Sequence, residues 1–204
     1  YVYVNLLGNE SGRMIFDGDV LIAEKGELYA KSNRLGFKDV NLICNSSAAL
    51  TKSSFEKNEE FIKLQSLALF DYLRKSKSQG FVLSLSGGAD SSSIAVFVSE
   101  MINRAVGELG IEGFKKKLNH INSIQTCNSI SALKAELLTC VYQRTRNSSK
   151  ETLQSAEELA RELGSEFHNW SVEPGVERVT NVIESAIGRE LSWDKDDLAL
   201  QNIQ

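Results

Sequence analysis

Residues 81–93 constrain the fold of this chain more than any other stretch. A short apolar run, Phe81-Val-Leu-Ser-Leu, ends at Ser86-Gly-Gly-Ala-Asp-Ser91, and a helical pattern begins just beyond it. Two adjacent glycines permit a tight turn whose backbone N–H groups are left bare, because neither residue has a Cβ to block approach. The N-terminus of the following helix points its unpaired N–H groups at the same place. The sequence therefore predicts a loop suited to binding phosphate.

An acidic residue, Asp90, lies inside this loop. A carboxylate would repel a phosphate unless a divalent cation lay between them, and Mg²⁺ prefers one or two carboxylates together with substrate phosphates. The loop is not of the Walker type, because no lysine follows the glycines. We therefore predict a Mg-nucleotide site with Asp90 as the metal ligand. A plain turn followed by a serine cap of the helix is the alternative.

From Asn58 onward, helical and strand patterns alternate along the chain. Strands are predicted over 81–85, 138–142 and 166–172, and helices from Asn58 to the basic turn at Lys77, over 94–109 up to Gly110, over 130–137, from a Ser148–Glu151 capping box to Gly164, from Pro174 to Gly188, and from Asp197. This order predicts an α/β fold with a mostly parallel sheet and helices on both faces. Residues 111–128 are weakly patterned and are expected to form a loop or an insertion.

The first 43 residues form a different, strand-rich segment. The run Tyr1–Leu7 is β-prone and is followed by hairpin chemistry at Gly8–Gly12, a second strand over 14–23 is interrupted at Gly18, and short strands are expected at 28–30 and 40–44. Residues 45–57 are polar and rich in serine, which indicates a linker. Because four short strands cannot close a core by themselves, we expect the chain to begin inside a larger domain.

The composition is that of an ordinary soluble globular protein, with 42% apolar and 25% charged residues. A net charge of −4 argues against a nucleic-acid or membrane-surface role. No apolar run approaches the length of a membrane span. The three cysteines, Cys44, Cys127 and Cys140, follow no metal-ligand spacing, so free and mostly buried thiols in a reducing compartment are expected.

Two arginines follow the second strand of the predicted sheet. Ligands bind such sheets at the carboxyl ends of the strands, and Arg144 and Arg146 lie directly after that strand end. Guanidinium groups at this position suit a phosphate or a leaving pyrophosphate. Two solvent-facing arginines in a loop are the alternative.

Three motifs together resemble one known family, glutamine-dependent NAD⁺ synthetase in the form where a nitrilase-like glutaminase precedes the synthetase. They are Leu85-Ser-Gly-Gly-Ala-Asp-Ser91, Asn147-Ser-Ser-x-x-Thr152 with its following helix, and Leu198-Ala-Leu-Gln-Asn-Ile-Gln204. The resemblance implies an adenine nucleotide alpha hydrolase-like fold over residues 58–204, and makes residues 1–44 the last strands of the glutaminase domain. It also implies ATP, Mg²⁺ and deamido-NAD⁺ as ligands, ammonia derived from glutamine, a cytoplasmic location and a homo-oligomer, with no nucleic-acid or membrane partner.

The same resemblance implies which residues form the site. Asp90 and Ser86 would be catalytic, with Asp90 also the metal ligand, and the nucleotide would be contacted by Ser84, Leu85, Ser86, Gly87, Gly88, Ala89, Asp90, Ser91, Val141 and Tyr142. The position after the strand end, given above, adds Arg144 and Arg146 to these contacts. Asn202 would contact deamido-NAD⁺.

Parts of the family pattern are missing from this sequence. The glutaminase nucleophile would lie before residue 1, and the family's Ser-x-Asn-x-Asp-Glu and Lys-Tyr-Asp segments do not occur. We therefore expect a fragment that makes little or no NAD⁺ alone. Two alternatives stay open. One is another adenylating amidotransferase with the same loop, of the GMP or asparagine synthetase type, acting on XMP or aspartate. The other is a non-catalytic nucleotide-binding module.

Overall fold

The structure is a computed structural model that describes residues 1–10, 14–43 and 56–203. In chain order its elements are β1 (Val2–Val4), β2 (Leu7–Glu10), β3 (Met14–Asp17), β4 (Val20–Glu24), β5 (Glu27–Lys31), α1 (Lys57–Ser76), β6 (Phe81–Ser84), α2 (Ala89–Lys117), a 3₁₀-helix (Ser123–Thr126), α3 (Ile130–Leu137), β7 (Leu138–Arg144), α4 (Lys150–Leu163), β8 (Glu166–Ser171), α5 (Glu173–Ile187) and α6 (Trp193–Ile203).

The predicted parallel sheet is present and has the strand order β6-β7-β8. Leu83 lies opposite Cys140, which in turn lies opposite Phe167, and all three face the main core. The α/β class is therefore confirmed, and so is the small antiparallel segment before it.

Helices cover one face of this sheet. The connections β6-α2-β7 and β7-α4-β8 advance across the sheet in the same direction, so their helices lie on the same face, and α2 and α4 contact each other. On the other face, Val82 is 79% exposed and Trp170 is 48% exposed. Helices were expected on both faces of the sheet. Within the described part of the chain they cover one face, because no described element crosses back over the second face.

The N-terminal strands form a sheet of order β1-β4-β5 and a hairpin of β2 and β3. The break predicted at Gly18 separates β3 from β4. The prediction for residues 8–10 was wrong, because they extend β2 and pair with β3, while Ser11 and Gly12 lie outside the described residues. The strand predicted over 40–44 is absent from 40–43, and Cys44 is outside the described residues. Most of the predicted linker is also outside them, and α1 begins at Lys57 rather than at Asn58.

A buried carboxylate joins this segment to α1. The Asp71 Oδ2 atom accepts a hydrogen bond from the backbone N–H of Asn9 at 2.8 Å, and its Oδ1 atom accepts one from Arg74 Nη2 at 2.6 Å. Lys75 Nζ lies 3.1 Å from Oδ2. The carboxylate fills the space that a Cβ on Gly8 would need, and Gly8 has a φ of +100°. β2 is therefore held against α1 by a backbone hydrogen bond to a buried carboxylate as well as by apolar packing.

Residues 111–128 were expected to be a loop or an insertion, and this prediction was wrong for 111–117, which are helical, whereas 118–128 contain turns and the short 3₁₀-helix. Gly110, with φ +71° and ψ 164°, redirects the chain inside α2, and a second helical stretch continues to Lys117. Its apolar side chains and those of the following turns are fully buried: Phe114, Leu118, Ile121 and Ile124. Their spacing of three and four residues was the available signal, and the glycine masked it, because Gly is also a common helix terminator.

Smaller features complete the core. On α2, Ala95, Val98, Met101, Ile102 and Ala105 are buried, whereas Ile94 is 47% exposed. Cys127 and Cys140 are free and buried, and burial raises the pKa of both thiols. Within the described ranges, no helix combines the length and the apolar character needed to cross a membrane.

Candidate nucleotide-binding site

The candidate loop starts where β6 leaves the sheet. Leu85 is fully buried in the core, and its N–H donates to the carbonyl oxygen of Val141 on β7 at 2.8 Å. Its side chain is therefore structural, and the beginning of the loop is fixed to the central strand. Ser84, just before it, donates to Gln143 Oε1 at 2.8 Å.

Two serine hydroxyls close the loop on itself. Ser86 Oγ and Ser91 Oγ are 3.1 Å apart, and Ser91 Oγ accepts a hydrogen bond from the Ser86 N–H at 3.2 Å. The Gly88 N–H in turn donates to Ser86 Oγ at 3.3 Å. The chain between these serines is thus held in a ring whose outer side is exposed.

Several backbone donors of this ring have no acceptor. The N–H groups of Gly87, Ala89, Asp90 and Ser91 donate to no atom of the described residues, whereas the Ser92 N–H already donates to the Gly88 carbonyl. They are the unpaired donors of a helix N-terminus, and they lie at the positive end of the α2 dipole. An anion with several oxygens suits them.

A second helix N-terminus lies against the loop. The cap of α4 is Ser149, whose Oγ accepts from the Thr152 N–H at 3.2 Å, so the predicted cap at Ser148 was wrong by one residue. Ser148 instead closes the preceding turn by accepting from the Thr145 N–H. A Cβ on Gly87, which has φ +80°, would overlap the Thr152 carbonyl oxygen. Both helix starts therefore meet at the carboxyl edge of the sheet.

Asp90 lies in the first turn of α2, and its side chain is exposed. Its carboxylate has no hydrogen-bond or ion-pair partner among the described residues. Among all the residues that the structure describes, no three His, Cys, Asp or Glu side chains converge on a point where they could bind a metal ion by themselves. One free carboxylate next to unpaired N–H groups fits Mg²⁺ held jointly with phosphate oxygens, and it does not fit a cage made of protein alone.

The two arginines differ in their surroundings. The Arg146 side chain contacts two carboxylates: its Nη2 is 2.8 Å from Glu177 Oε1, and its Nε contacts Glu173 Oε1. The backbone N–H of Arg146 also donates to Glu173 Oε2 at 2.7 Å. The side-chain hydrogen bond with Glu173 raises the pKa of Arg146. Arg144 is exposed and has no such partner among the described residues. Arg144 is therefore the guanidinium that remains available to a ligand.

The other predicted contacts lie further from the open side of the loop. Val141 and Tyr142 are both 4% exposed, and the Tyr142 hydroxyl is 2.7 Å from Thr152 Oγ1. Asn202 is exposed on α6, which packs against α5. The structure thus brings the loop, the end of β7 and the start of α4 together, and places Asn202 on a separate pair of helices. The sequence motif Asn147–Thr152 pointed to this region, but not to the capping role of Ser149 or the contact made by Thr152.

Comparison with protein families gives a match to the sequence model described as NAD synthase, over residues 61–204. Curated relatives are similar over the whole chain. A glutamine-dependent NAD(+) synthetase of Oryza sativa subsp. indica is 27% identical, and that of Homo sapiens is 26% identical. The chain spans 35% and 37% of the length of these two relatives, respectively.

Solved structures give the same picture. A glutamine-dependent NAD(+) synthetase from Cytophaga hutchinsonii matches all of this chain with 50% identity and a TM-score of 0.87, and 36% of that protein is covered. A glutamine-dependent NAD+ synthetase from Acinetobacter baumannii, solved in complex with adenosine diphosphate, matches 99% of this chain with 20% identity and a TM-score of 0.65, and 32% of that protein is covered. The second similarity is one of fold.

Proposed function

Because the chain belongs to the NAD synthase family, we propose that it carries the nucleotide-binding part of an enzyme that amidates deamido-NAD⁺ to NAD⁺ with ATP. The single observation that supports this most is the ring of unpaired N–H groups between two helix N-termini, with the free Asp90 carboxylate beside it. The similarity to glutamine-dependent NAD(+) synthetases supports the choice of substrate and of nitrogen donor.

The proposed reaction has two steps. An oxygen of the nicotinate carboxylate attacks the α-phosphorus of ATP, and the bond between the α- and β-phosphates breaks to release pyrophosphate. Ammonia then attacks the carbonyl carbon of the resulting acyl adenylate, so that AMP leaves with the former carboxylate oxygen and the amide of NAD⁺ forms. The first step concentrates negative charge on the leaving pyrophosphate, and a site for it must supply positive potential.

The loop supplies that potential from its backbone. The N–H groups of Gly87, Ala89, Asp90 and Ser91 bind phosphate oxygens, while the Ser86 hydroxyl keeps the ring closed through Ser91. No lysine is needed in this arrangement, because two helix dipoles and the free guanidinium of Arg144 act on the same region.

Asp90 would hold Mg²⁺ together with phosphate oxygens. When bound, the cation neutralises charge on the phosphates and orients them. The part of this chain is to offer one exposed carboxylate at the start of α2, where the backbone donors around it bind the remaining phosphate oxygens. The nucleotide complex of the Acinetobacter relative is consistent with a nucleotide site in this fold.

The remaining parts of the proposal concern the neighbours of this site. Val141 and Tyr142 would lie on the adenine side, and Asn202 would contact deamido-NAD⁺. Residues 1–44 would be the end of a nitrilase-like glutaminase domain that delivers ammonia, with 45–57 as the linker and 58–204 as the synthetase part. A cytoplasmic homo-oligomer is the proposed setting, with no nucleic-acid or membrane partner.

Pyrophosphate release tests this function directly. The assay uses ATP, Mg²⁺ and deamido-NAD⁺ with a longer protein that carries flanking sequence on both sides of this chain. We expect release that depends on deamido-NAD⁺, together with positional isotope exchange in ATP. Release that depends on XMP or aspartate would identify another adenylating amidotransferase. Binding of ATP without any adenylation would indicate a nucleotide-binding module instead.

A further inference from the structure

A hydrogen bond links the central strand of the sheet to the first turn of α4. The Tyr142 hydroxyl on β7 lies 2.7 Å from Thr152 Oγ1 on α4. Tyr142 is 4% exposed and belongs to the strand that pairs with neighbours on both sides. Its hydroxyl therefore has a position set by the sheet, and Thr152 takes its position from that hydroxyl.

Thr152 is held by Ser149 as well. Its N–H donates to Ser149 Oγ at 3.2 Å, and its own hydroxyl lies 3.1 Å from the Ser149 carbonyl oxygen. A partly buried threonine with three hydrogen bonds to two partners, Tyr142 and Ser149, has little freedom to move. The first turn of α4 is consequently fixed relative to β7 and not only capped within itself.

The backbone of Thr152 packs directly against the phosphate loop at Gly87. Gly87 approaches so closely that a Cβ there would overlap the Thr152 carbonyl oxygen, and its φ of +80° belongs to the region that favours glycine. A shift of Thr152 by a few tenths of an ångström would therefore change the space available to Gly87. The orientation of the unpaired N–H groups at Gly87 and Ala89 depends on that space.

The same strand also holds the beginning of the loop. The carbonyl oxygen of Val141 accepts from the Leu85 N–H at 2.8 Å. Two consecutive residues of β7 thus fix the loop at two points: Val141 directly at Leu85, and Tyr142 through Thr152 at Gly87. This arrangement explains why a buried tyrosine lies at a strand end beside a ligand site, although its ring is closed to solvent.

We propose that Tyr142 and Thr152 are positioning residues for the phosphate loop. Their hydrogen bond sets the distance between α4 and Gly87, and so keeps the loop donors aimed at the phosphates of ATP. The proposal rests on the proposed function for the identity of the ligand. Its geometric part, that this bond orders the loop, holds for any anion bound there.

Four variants of the full protein separate positioning from general stability. Tyr142→Phe and Thr152→Val each remove one hydroxyl of the pair and keep the shape of the side chain. Thr152→Ser keeps the hydroxyl and serves as the rescue variant. Ser165→Ala is the matched control, because Ser165 also hydrogen-bonds to β7 and α4, at Cys140 Sγ and at the Ala160 carbonyl oxygen, but lies at the far end of α4.

Two measurements are made on each variant. Residue-resolved amide hydrogen exchange at the three hydrogen-bonded N–H groups of the loop, those of Leu85, Ser86 and Gly88, reports its order without any need for turnover. The steady-state KM for ATP and the kcat of pyrophosphate release report its effect on the reaction. Loss of one hydrogen bond in a partly buried network corresponds to about a tenfold change in the equilibrium for local opening of the loop, and to about a tenfold change in apparent ATP affinity.

We expect Tyr142→Phe and Thr152→Val to raise both the exchange rate of the Leu85, Ser86 and Gly88 amides and the KM for ATP about tenfold, with a smaller change in kcat. Thr152→Ser and Ser165→Ala should match the wild type in both. If all variants lose loop protection equally, or if Tyr142→Phe leaves both readouts unchanged, the positioning role is refuted. Absence of pyrophosphate release from the wild type would instead reject the proposed function, while the exchange data would still decide whether the pair orders the loop.

Discussion

Replacing Asp71 with asparagine tests how the N-terminal strands are attached to the helical part of the chain. The side chain is only 5% exposed, and its carboxylate accepts hydrogen bonds from the Asn9 N–H and from Arg74, with Lys75 also paired. Asparagine keeps the size but carries one acceptor oxygen and no charge. The asparagine oxygen can accept from either Asn9 or Arg74, and the asparagine NH₂ group then faces the other of these two donors.

The expected loss follows from these contacts. Arg74 and Lys75 are 34% and 48% exposed, so water replaces much of what they lose. The buried Asn9 N–H has no such replacement, and leaving one donor unsatisfied costs about 1–3 kcal/mol. Adding a smaller contribution from the lost charge, we expect Asp71→Asn to lower the free energy of unfolding by about 2–3 kcal/mol. Asp71→Ala should cost about 1 kcal/mol more, because it also leaves a cavity beside Gly8.

Urea denaturation followed by circular dichroism measures both variants. Glu59→Gln is the control on the same helix, since it breaks an ion pair with Arg104 that is 41% exposed on the Glu59 side, and a change within about 0.5 kcal/mol is expected. A loss below about 0.5 kcal/mol for Asp71→Asn would refute the reasoning, because it would mean that solvent reaches the Asn9 amide.

The pH dependence gives a second check on Asp71. Burial alone would raise the pKa of this carboxyl, but hydrogen bonds from Arg74, the Asn9 N–H and Lys75 outweigh it and hold the pKa below its ordinary value of 3.8. A lowered pKa contributes stability above 3.8 that is lost as the pH falls through the folded-state pKa. The gap in stability between wild type and Asp71→Asn should therefore be full near neutral pH and shrink in acid. A gap that stays constant into acid would contradict the assignment.

Four further predictions concern the site. Asp90→Ala should abolish Mg-ATP turnover and leave the circular dichroism spectrum and urea midpoint unchanged, because the exposed side chain has no contacts to lose; retained activity would reject the metal assignment. Arg144→Ala should weaken ATP binding about tenfold in calorimetry, whereas Arg146→Ala should bind like the wild type, since Glu173 and Glu177 already engage that guanidinium; the reverse order would overturn the distinction. In urea denaturation, Gly87→Ala should lower the free energy of unfolding by about 1–2 kcal/mol, because alanine disfavours the left-handed backbone conformation at this position. The variant should also bind ATP more weakly, and normal ATP affinity would show that the contact with Thr152 relaxes freely. The isolated 204-residue chain should make little or no NAD⁺ in a coupled assay, and robust turnover would contradict this.

The loop was predictable because its information is local. A strand, two glycines and a helix start define the backbone by themselves, and the structure has β6 and the turn where they were expected, with α2 beginning at Ala89, five residues before the predicted start at 94. The parallel order of the sheet followed from the alternation of elements. The helical residues 111–117 were missed because Gly110 is a helix terminator in most settings, and only packing against the core shows that the chain continues as a helix.

The parts of the site that sequence could not supply are long-range. Arg144 and Arg146 have the same charge and nearly the same position, and only the placement of α5 beside the turn decides that Glu173 and Glu177 engage one of them. The contact between Gly87 and Thr152 joins residues 65 positions apart in the chain, and no local pattern encodes it. The cap of α4 was wrong by one residue because Ser148 has the Glu151 spacing of a capping box, whereas the helix begins at Lys150 and is capped by the adjacent Ser149.

The bare face of the parallel sheet has a practical consequence for handling this chain. Parallel sheets are usually covered on both sides, whereas here Val82 and Trp170 meet solvent and both outer strands, β6 and β8, have no neighbour on one edge within the described residues. Unpaired strand edges beside exposed apolar side chains promote association between molecules. Concentrated solutions of the 204-residue chain should therefore scatter light and lose protein on standing. The variant Val82→Lys adds a charge to this face and should raise the protein concentration at which light scattering begins.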